Sequence, residues 1–231
     1  MRLLVVASMP LEFSGILGRA RNARGVSAGA DWARTLRLGE DEWLLVANGA
    51  GPSRARIAVE AALAGFRADG LVSTGFCGSL APELGLGEII VATEVTGDAG
   101  SLPAALPASS KPHHRGVVRT IDHIAQTAEE KRKLWATGAV AVEMEAAAVA
   151  SQAVRNGLPF YCVKAVTDLA GEDLANDLNG ALRDDGHFDT IRILGSTLRQ
   201  PLVRMPELFR LRKRSVRAAR ALGEFFADCR F

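Results

Sequence analysis

Ala139-Val-Ala-Val142 runs directly into Glu143-Met-Glu-Ala-Ala-Ala-Val-Ala-Ser-Gln-Ala-Val-Arg155, a short apolar stretch followed by an Ala-rich segment with helical spacing. Apolar stretches of the same kind, bounded by Gly, Asp or Asn, recur at Leu3 to Ala7, Trp43 to Ala47, Gly70 to Ser73, Glu88 to Ala92 and Phe160 to Ala165. Runs without alternation read as strands buried on both faces. Arg54 to Phe66 supplies another Ala-rich helical segment. The alternation predicts an α/β sheet covered by helices on both sides.

At 231 residues the chain is long enough to bury one sizeable core without disulfides or metal. Its 48% hydrophobic and 23% charged content describes a soluble globular protein. No run approaches the ~20 apolar residues of a spanning helix. Leu3 to Ala7 is too short for a signal sequence, so a cytoplasmic location is expected. The formal charge of +2 predicts no nucleic-acid partner. Cys77, Cys162 and Cys229 have no Cys-x-x-Cys spacing, and His113, His114, His123 and His187 form no cluster with carboxylates at metal-ligand spacing. Neither a disulfide framework nor a bound metal is therefore expected.

Charge is unevenly spread. From Arg204 onward eight cations face three acids, a net +5, which leaves −3 on the preceding body. Between Met205 and Phe226 the apolar Leu208, Leu211, Val216, Leu222, Phe225 and Phe226 fall near one face with arginines opposite. That pattern predicts an amphipathic basic helix or helix pair. It divides the chain into a body of residues 1–198 and a helical extension of residues 199–231. Gly97 to Arg115, rich in Gly, Pro and Ser, reads as a loop near a site.

Four stretches could carry chemistry. Trp43-Leu-Leu-Val-Ala-Asn-Gly-Ala-Gly-Pro-Ser-Arg54 reads as a strand, a glycine turn and a helix start. The backbone at Gly49, Gly51 and Ser53, with Arg54, could hold an anion, or the turn could bind nothing. The third glycine of a dinucleotide fingerprint is missing, which argues against that cofactor. Val72-Ser-Thr-Gly-Phe-Cys-Gly-Ser79 ends another strand with small residues, where backbone can approach a ligand closely. In Val142-Glu-Met-Glu-Ala146 two carboxylates sit at a strand-to-helix junction. If the junction is extended they share a face; if it is helical only one points into a cleft. Their alternative role is to complement the helix dipole. Asp168, just past the last apolar strand, suits acid/base work, or alternatively caps a turn.

Taken in order, Ser8-Met-Pro-Leu-Glu12, the Gly49-Ala-Gly-Pro52 turn, Ser73-Thr-Gly75, Val142-Glu-Met-Glu-Ala146 and Val166-Thr-Asp168 resemble the nucleoside phosphorylase and methylthioadenosine/S-adenosylhomocysteine nucleosidase superfamily over about residues 1–185. The Glu-Met-Glu and Thr-Asp motifs are the specific part. Ser73-Thr-Gly-Phe-Cys-Gly-Ser-Leu-Ala-Pro82, a shortened middle loop and the arginine-rich tail after Leu198 are similar to the hopanoid-associated phosphorylases, which release adenine from adenosylhopane. The resemblance implies a single three-layer α/β/α domain around a mixed, largely parallel twisted sheet. It also implies N-glycosidic cleavage through an oxocarbenium-like transition state.

In that chemistry Asp168 would protonate or hydrogen-bond purine N7, and Glu145 would bind the ribose hydroxyls. Met144 would pack on the ribose, and Glu12 would help activate water. Ser73, Thr74, Gly75 and Phe76 would lie along the substrate, and the backbone of Phe160, Tyr161 and Cys162 would line the base pocket. No cofactor is implied beyond inorganic phosphate as a co-substrate. Ser73 stands where the phosphorylases carry a phosphate-holding arginine, so the nucleophile stays open between water and phosphate. The expected substrate is a small or lipid-linked adenine nucleoside. Methylthioadenosine/S-adenosylhomocysteine nucleosidase, futalosine hydrolase and a non-catalytic nucleoside-binding module are the alternatives. Relatives assemble as homodimers or larger homo-oligomers, and the basic tail would allow peripheral contact with the inner face of a membrane.

Overall fold

Leu3, Val5 and Ala7 face one side of the first strand and Leu4 and Val6 the other, and none is more than 2% exposed. A strand with both faces apolar can be stable only between two layers. The computed structural model describes residues 1–231. In chain order its elements are β1 (Arg2–Ala7), a 3-10 turn (Pro10–Phe13), α1 (Ser14–Leu17), β2 (Arg21–Gly25), β3 (Trp32–Leu38), β4 (Asp41–Ala47), α2 (Pro52–Leu63), β5 (Gly70–Ser79), β6 (Ile89–Gly97), β7 (Gly100–Pro103), β8 (His114–Thr120), α3 (Ala128–Trp135), β9 (Ala139–Glu143), α4 (Ala146–Arg155), β10 (Phe160–Asp168), α5 (Leu178–Ala181), α6 (Thr190–Thr197) and α7 (Pro201–Phe226).

All ten strands form one mixed sheet in the order β10-β6-β8-β9-β5-β1-β4-β3-β2, with β7 paired to β6. An additional pairing of β10 with β5 closes the first five of these strands on themselves. On one face the small residues Ala55, Ala58 and Ala62 of α2 and Ala146, Ala150 and Ala153 of α4 let both helices approach the sheet closely. On the other, Ala218, Leu222, Phe225 and Phe226 of α7 pack with Leu3, Val5, Phe13 and Ile16. Each fully buried Leu or Phe there contributes about 1.5–3 kcal/mol of transfer free energy. The predicted three-layer α/β/α architecture is present.

β5 has three partners, and this creates the site. One edge pairs with β10 from Leu71 to Gly78. The other pairs with β1 at Gly70–Ser73 and then with β9 at Gly78–Ser79. Between those contacts, at Thr74–Cys77, the sheet splits. Chain ends that diverge at such a switch point leave a crevice beyond the strands' carboxyl ends.

Three expectations need correcting. Gly97 to Arg115 is not simply a loop, because it contains β7 and the start of β8. It is also tied to the chain end: Ala108 bridges Arg230, and Ser109 and Ser110 bind the Asp228 carboxylate. β2 and β3 went unpredicted; β2 is exposed along its length and β3 is half-buried, so neither has a continuous apolar run. In α7, Val216 does not share the inward face of Leu208, Leu211 and Leu222 but is 52% exposed.

Candidate active site

A cavity of about 380 Å³ opens at the split in the sheet. Strand ends and turns contribute its inner lining, Ser8, Glu12, Phe76, Glu145 and Asp168. Loops and helices contribute its outer lining, which is apolar: Ile124, Leu178, Phe188, Ile193, Leu208 and Leu211. Met144 lies along the wall.

Glu12 follows β1 in the 3-10 turn and is 3% exposed. One carboxylate oxygen, Oε2, accepts from Ser8 Oγ at 2.7 Å and from the Met9 N–H at 2.8 Å. The other, Oε1, accepts from the Phe76 N–H at 2.8 Å, a donor on β5 beyond the reach of β1's pairing. A carboxylate offers about four acceptor sites, so three fixed bonds leave one for a ligand or water.

Gly75 and Gly78 make room for this chemistry. A Cβ on Gly75, whose φ is +120°, would lie 2.3 Å from Glu12 Oε1; one on Gly78 would lie 2.9 Å from Asp168 Oδ2.

The two carboxylates of the Glu-Met-Glu motif separate in role. Glu143 closes β9 and is consumed internally: it pairs with Lys164 Nζ at 2.7 Å and accepts from Thr120 Oγ1 at 2.5 Å. It also accepts from the N–H groups of Glu145 and Ala146 at the start of α4. Glu145 occupies the N-cap position, and its Oε1 accepts from the Gly51 N–H at 2.9 Å. Burial, then the neighbouring Glu143 charge, push its pKa up to about 8. Lys164 opposes that rise. Burial alone would lower the pKa of Lys164, but Glu143 outweighs it and keeps the ammonium charged.

Asp168 ends β10, with Oδ2 paired to Lys131 Nζ at 2.5 Å. Lys131, on α3, is fully buried and also donates to the Leu169 carbonyl at 2.9 Å. A buried ammonium is tolerable only with such partners. Thr167 Oγ1 donates to Asp168 Oδ1 at 3.1 Å. The loop after Asp168 is fastened to α7, where Glu207 accepts from the Ala175 and Asn176 N–H groups. Arg214 clasps Glu172 through bonds of 2.7 and 2.8 Å, and this holds the Glu172 pKa down at about 2.

Of the residues singled out from sequence, Glu12, Phe76, Met144, Glu145 and Asp168 meet at the cavity. Ser73 and Thr74 are buried within β5 and do not line it, nor do Phe160, Tyr161 and Cys162. At ~3.3 Å per strand residue, Cys162 lies roughly 20 Å up the strand from Asp168. The Gly49 turn is occupied from within: the Gly51 amide holds Glu145, a Cβ on Gly49 would meet the Asp185 carbonyl at 2.7 Å, and Ser53 is exposed on the first turn of α2. Arg54 is committed to the Asn48 carbonyl at 2.7 Å and to Asp31 at 2.9 Å.

Sequence reasoning missed Lys131, Lys164 and His123. His123 lines the cavity, and hydrogen bonds to Asp122 and Glu130 raise its pKa. Lys164 did leave a signal, as a lone charge inside the apolar run Phe160 to Val166.

The chain matches the family described as the Phosphorylase superfamily over residues 2–120 and 104–188. It is 28% identical over 206 residues to a 5′-methylthioadenosine/S-adenosylhomocysteine nucleosidase of Geobacillus kaustophilus, covering 75% of this chain and 86% of the relative. Among solved structures, a nucleosidase of that description from S. pneumoniae with a transition-state inhibitor has a TM-score of 0.72 at 18% identity, over 99% of each chain. A futalosine hydrolase mutant of Helicobacter pylori has a TM-score of 0.68 at 16% identity, over 96% of each. At such identities these structures share the fold.

Proposed function

The chain belongs to the phosphorylase superfamily, and we propose that it is an enzyme that breaks the N-glycosidic bond of an adenine nucleoside carrying an apolar 5′ substituent, with water as nucleophile. The observation that carries this reading is a single cavity lined both by the carboxylates Glu12, Glu145 and Asp168 and by the apolar Leu178, Ile193, Leu208 and Leu211. Glu145 receives the ribose hydroxyls and stabilises positive charge developing on the sugar. Met144 packs on the sugar face as an adaptable apolar wall. Glu12, with one acceptor site open, takes the proton of the attacking water.

Lys131 Nζ, 2.5 Å from Asp168 Oδ2, is placed to relay a proton to the leaving base. The proton passes through Oδ2 to purine N7 as the bond breaks, so that adenine departs neutral. Water is favoured over phosphate because Arg54 is already engaged and the inner wall carries carboxylates that would repel a phosphate dianion.

Among 5′-substituted adenine nucleosides, adenosylhopane best suits the apolar outer end, which gives the enzyme a place in hopanoid biosynthesis. The relatives support a second reading, a methylthioadenosine/S-adenosylhomocysteine nucleosidase or a futalosine hydrolase. A homo-oligomer is part of the proposal by likeness to the superfamily. The test is adenine release from adenosylhopane and from methylthioadenosine, each with and without phosphate, with the sugar product identified by mass. Release of a free ribosyl product from adenosylhopane without phosphate is expected. A ribosyl-1-phosphate would overturn hydrolysis, and preference for methylthioadenosine would overturn the lipid substrate.

A further inference from the structure

The helices that wall the outer end of the cavity have a second face. Ile193 of α6 and Leu208 and Leu211 of α7 point into the cavity. On the opposite side, Leu202, Phe209 and Val216 repeat every seven residues along α7 and are 91%, 67% and 52% exposed. Ile191, Leu194 and Leu198, in and just after α6, are exposed too, at 82%, 48% and 69%. A seven-residue repeat drifts only about 20° per step on a helix, so the α7 residues make one continuous stripe. Isolated surface apolars need no explanation, but a concentration of seven, with Val203 also 58% exposed, along two successive helices does.

Charge identifies what covers them. Between Thr190 and Arg217 the exposed charged residues are Arg192, Arg199, Arg210, Arg212, Lys213 and Arg217, all cations, while the one acid, Glu207, is 2% exposed and bound inward. Arg192 and Arg210 have an acid within 3.6 Å; Arg199, Arg212, Lys213 and Arg217 form no ion pair. A two-fold contact with a second copy would set these cations against one another. Apolar side chains flanked by unpaired cations on one helical face are the pattern of a helix lying in the interface of an anionic bilayer.

We propose that the outer face of α6 and the first four turns of α7 dock on an anionic phospholipid surface. The apolar lining of the cavity contributed by Ile193, Leu208 and Leu211 then lies one helix away from the bilayer. The inference concerns this surface alone and does not depend on which nucleoside is cleaved.

Flotation with phosphatidylcholine vesicles, with and without 30 mol% phosphatidylglycerol, tests it on the full chain. Binding to the anionic vesicles is expected, weakening at least tenfold between 50 and 500 mM salt, as screening of the cations requires. Leu202→Ser combined with Phe209→Ser, both on the exposed face, should reduce binding at least tenfold while leaving adenine release from a water-soluble nucleoside unchanged. No binding to either vesicle would overturn the proposal, as would equal binding to both. A dimer abolished by the same double substitution, in a chain that ignores vesicles, would also overturn it and assign the face to a second copy.

Discussion

The inner and outer ends of the cavity are made of different material. At the inner end each carboxylate comes from the end of a strand or the turn beyond it, and is held by counted bonds: three to Glu12, the Gly51 amide to Glu145, Lys131 and Thr167 to Asp168. At the outer end the apolar side chains of Leu178, Ile193, Leu208 and Leu211 come from α5, α6 and α7 and can meet a ligand only by packing, while bonds such as Glu207 to Asn176 hold the backbone behind them. Directional bonds on a rigid sheet suit the reacting atoms, which tolerate little displacement. Apolar contact on helices suits a substituent that need only be enclosed. Reaction and selectivity should therefore separate when the two ends are altered.

The largest effect is expected for Asp168→Asn. Loss of the proton route to N7 should lower kcat about 10²–10⁴-fold while nucleoside binding survives. Lys131→Met should cost less, about 10²-fold in kcat, since Asp168 remains but loses its proton source. A tighter test is a riboside with a nitrophenol leaving group, which departs without protonation and should be cleaved by wild type and Lys131→Met at similar rates. Equal losses on both substrates would reduce Lys131 to a structural residue.

Leu208→Ser with Leu211→Ser should raise KM roughly 10–50-fold for a nucleoside with a long apolar 5′ group and leave methylthioadenosine nearly unaffected. A matching change for both would erase the distinction between the two ends.

The smallest effect is a pH dependence. With the Glu145 pKa raised to about 8, the carboxylate that receives ribose is the minor form at neutral pH. Accordingly kcat/KM should climb up to tenfold per pH unit toward about 8 and then level, and Glu145→Gln should remove that limb. The folded protein keeps a proton here that the unfolded chain releases near pH 4.5, so this group makes the free enzyme less stable as pH rises from about 4.5 to 8.

The layers were legible because the buried strands are continuous apolar runs and the covering helices are Ala-rich. β2 was not, since a fully exposed edge strand carries no such signal. Glu12, Glu145 and Asp168 stood out as carboxylates at the edges of apolar segments, where stability alone seldom puts charge. Their counter-charges did not. Lys131 looks like any lysine on the charged helix segment Glu129-Glu-Lys-Arg-Lys133, and its burial follows only from where α3 lands beside Asp168. Phe160 to Cys162 were assigned to the site because strand depth is invisible in a linear motif. The outer end was obscure too: α5 has four residues and α6 eight, and their role follows from α7, against which α6 lies with α5 behind it.

α7 completes two structures at once. Its C-terminal half covers the sheet at Leu3, Val5 and Val163 and packs on Phe13 and Ile16 beside it, and its N-terminal half closes the cavity. On the ribosome this helix emerges only after every strand it covers. Until then the nascent chain bears an uncapped apolar sheet, a surface prone to mispairing or to capture by chaperones. Maturation of the fold and closure of the cavity thus wait on one late event, so a ribosome stalled before Pro201 would display the carboxylates of the inner end without the wall that selects what reaches them.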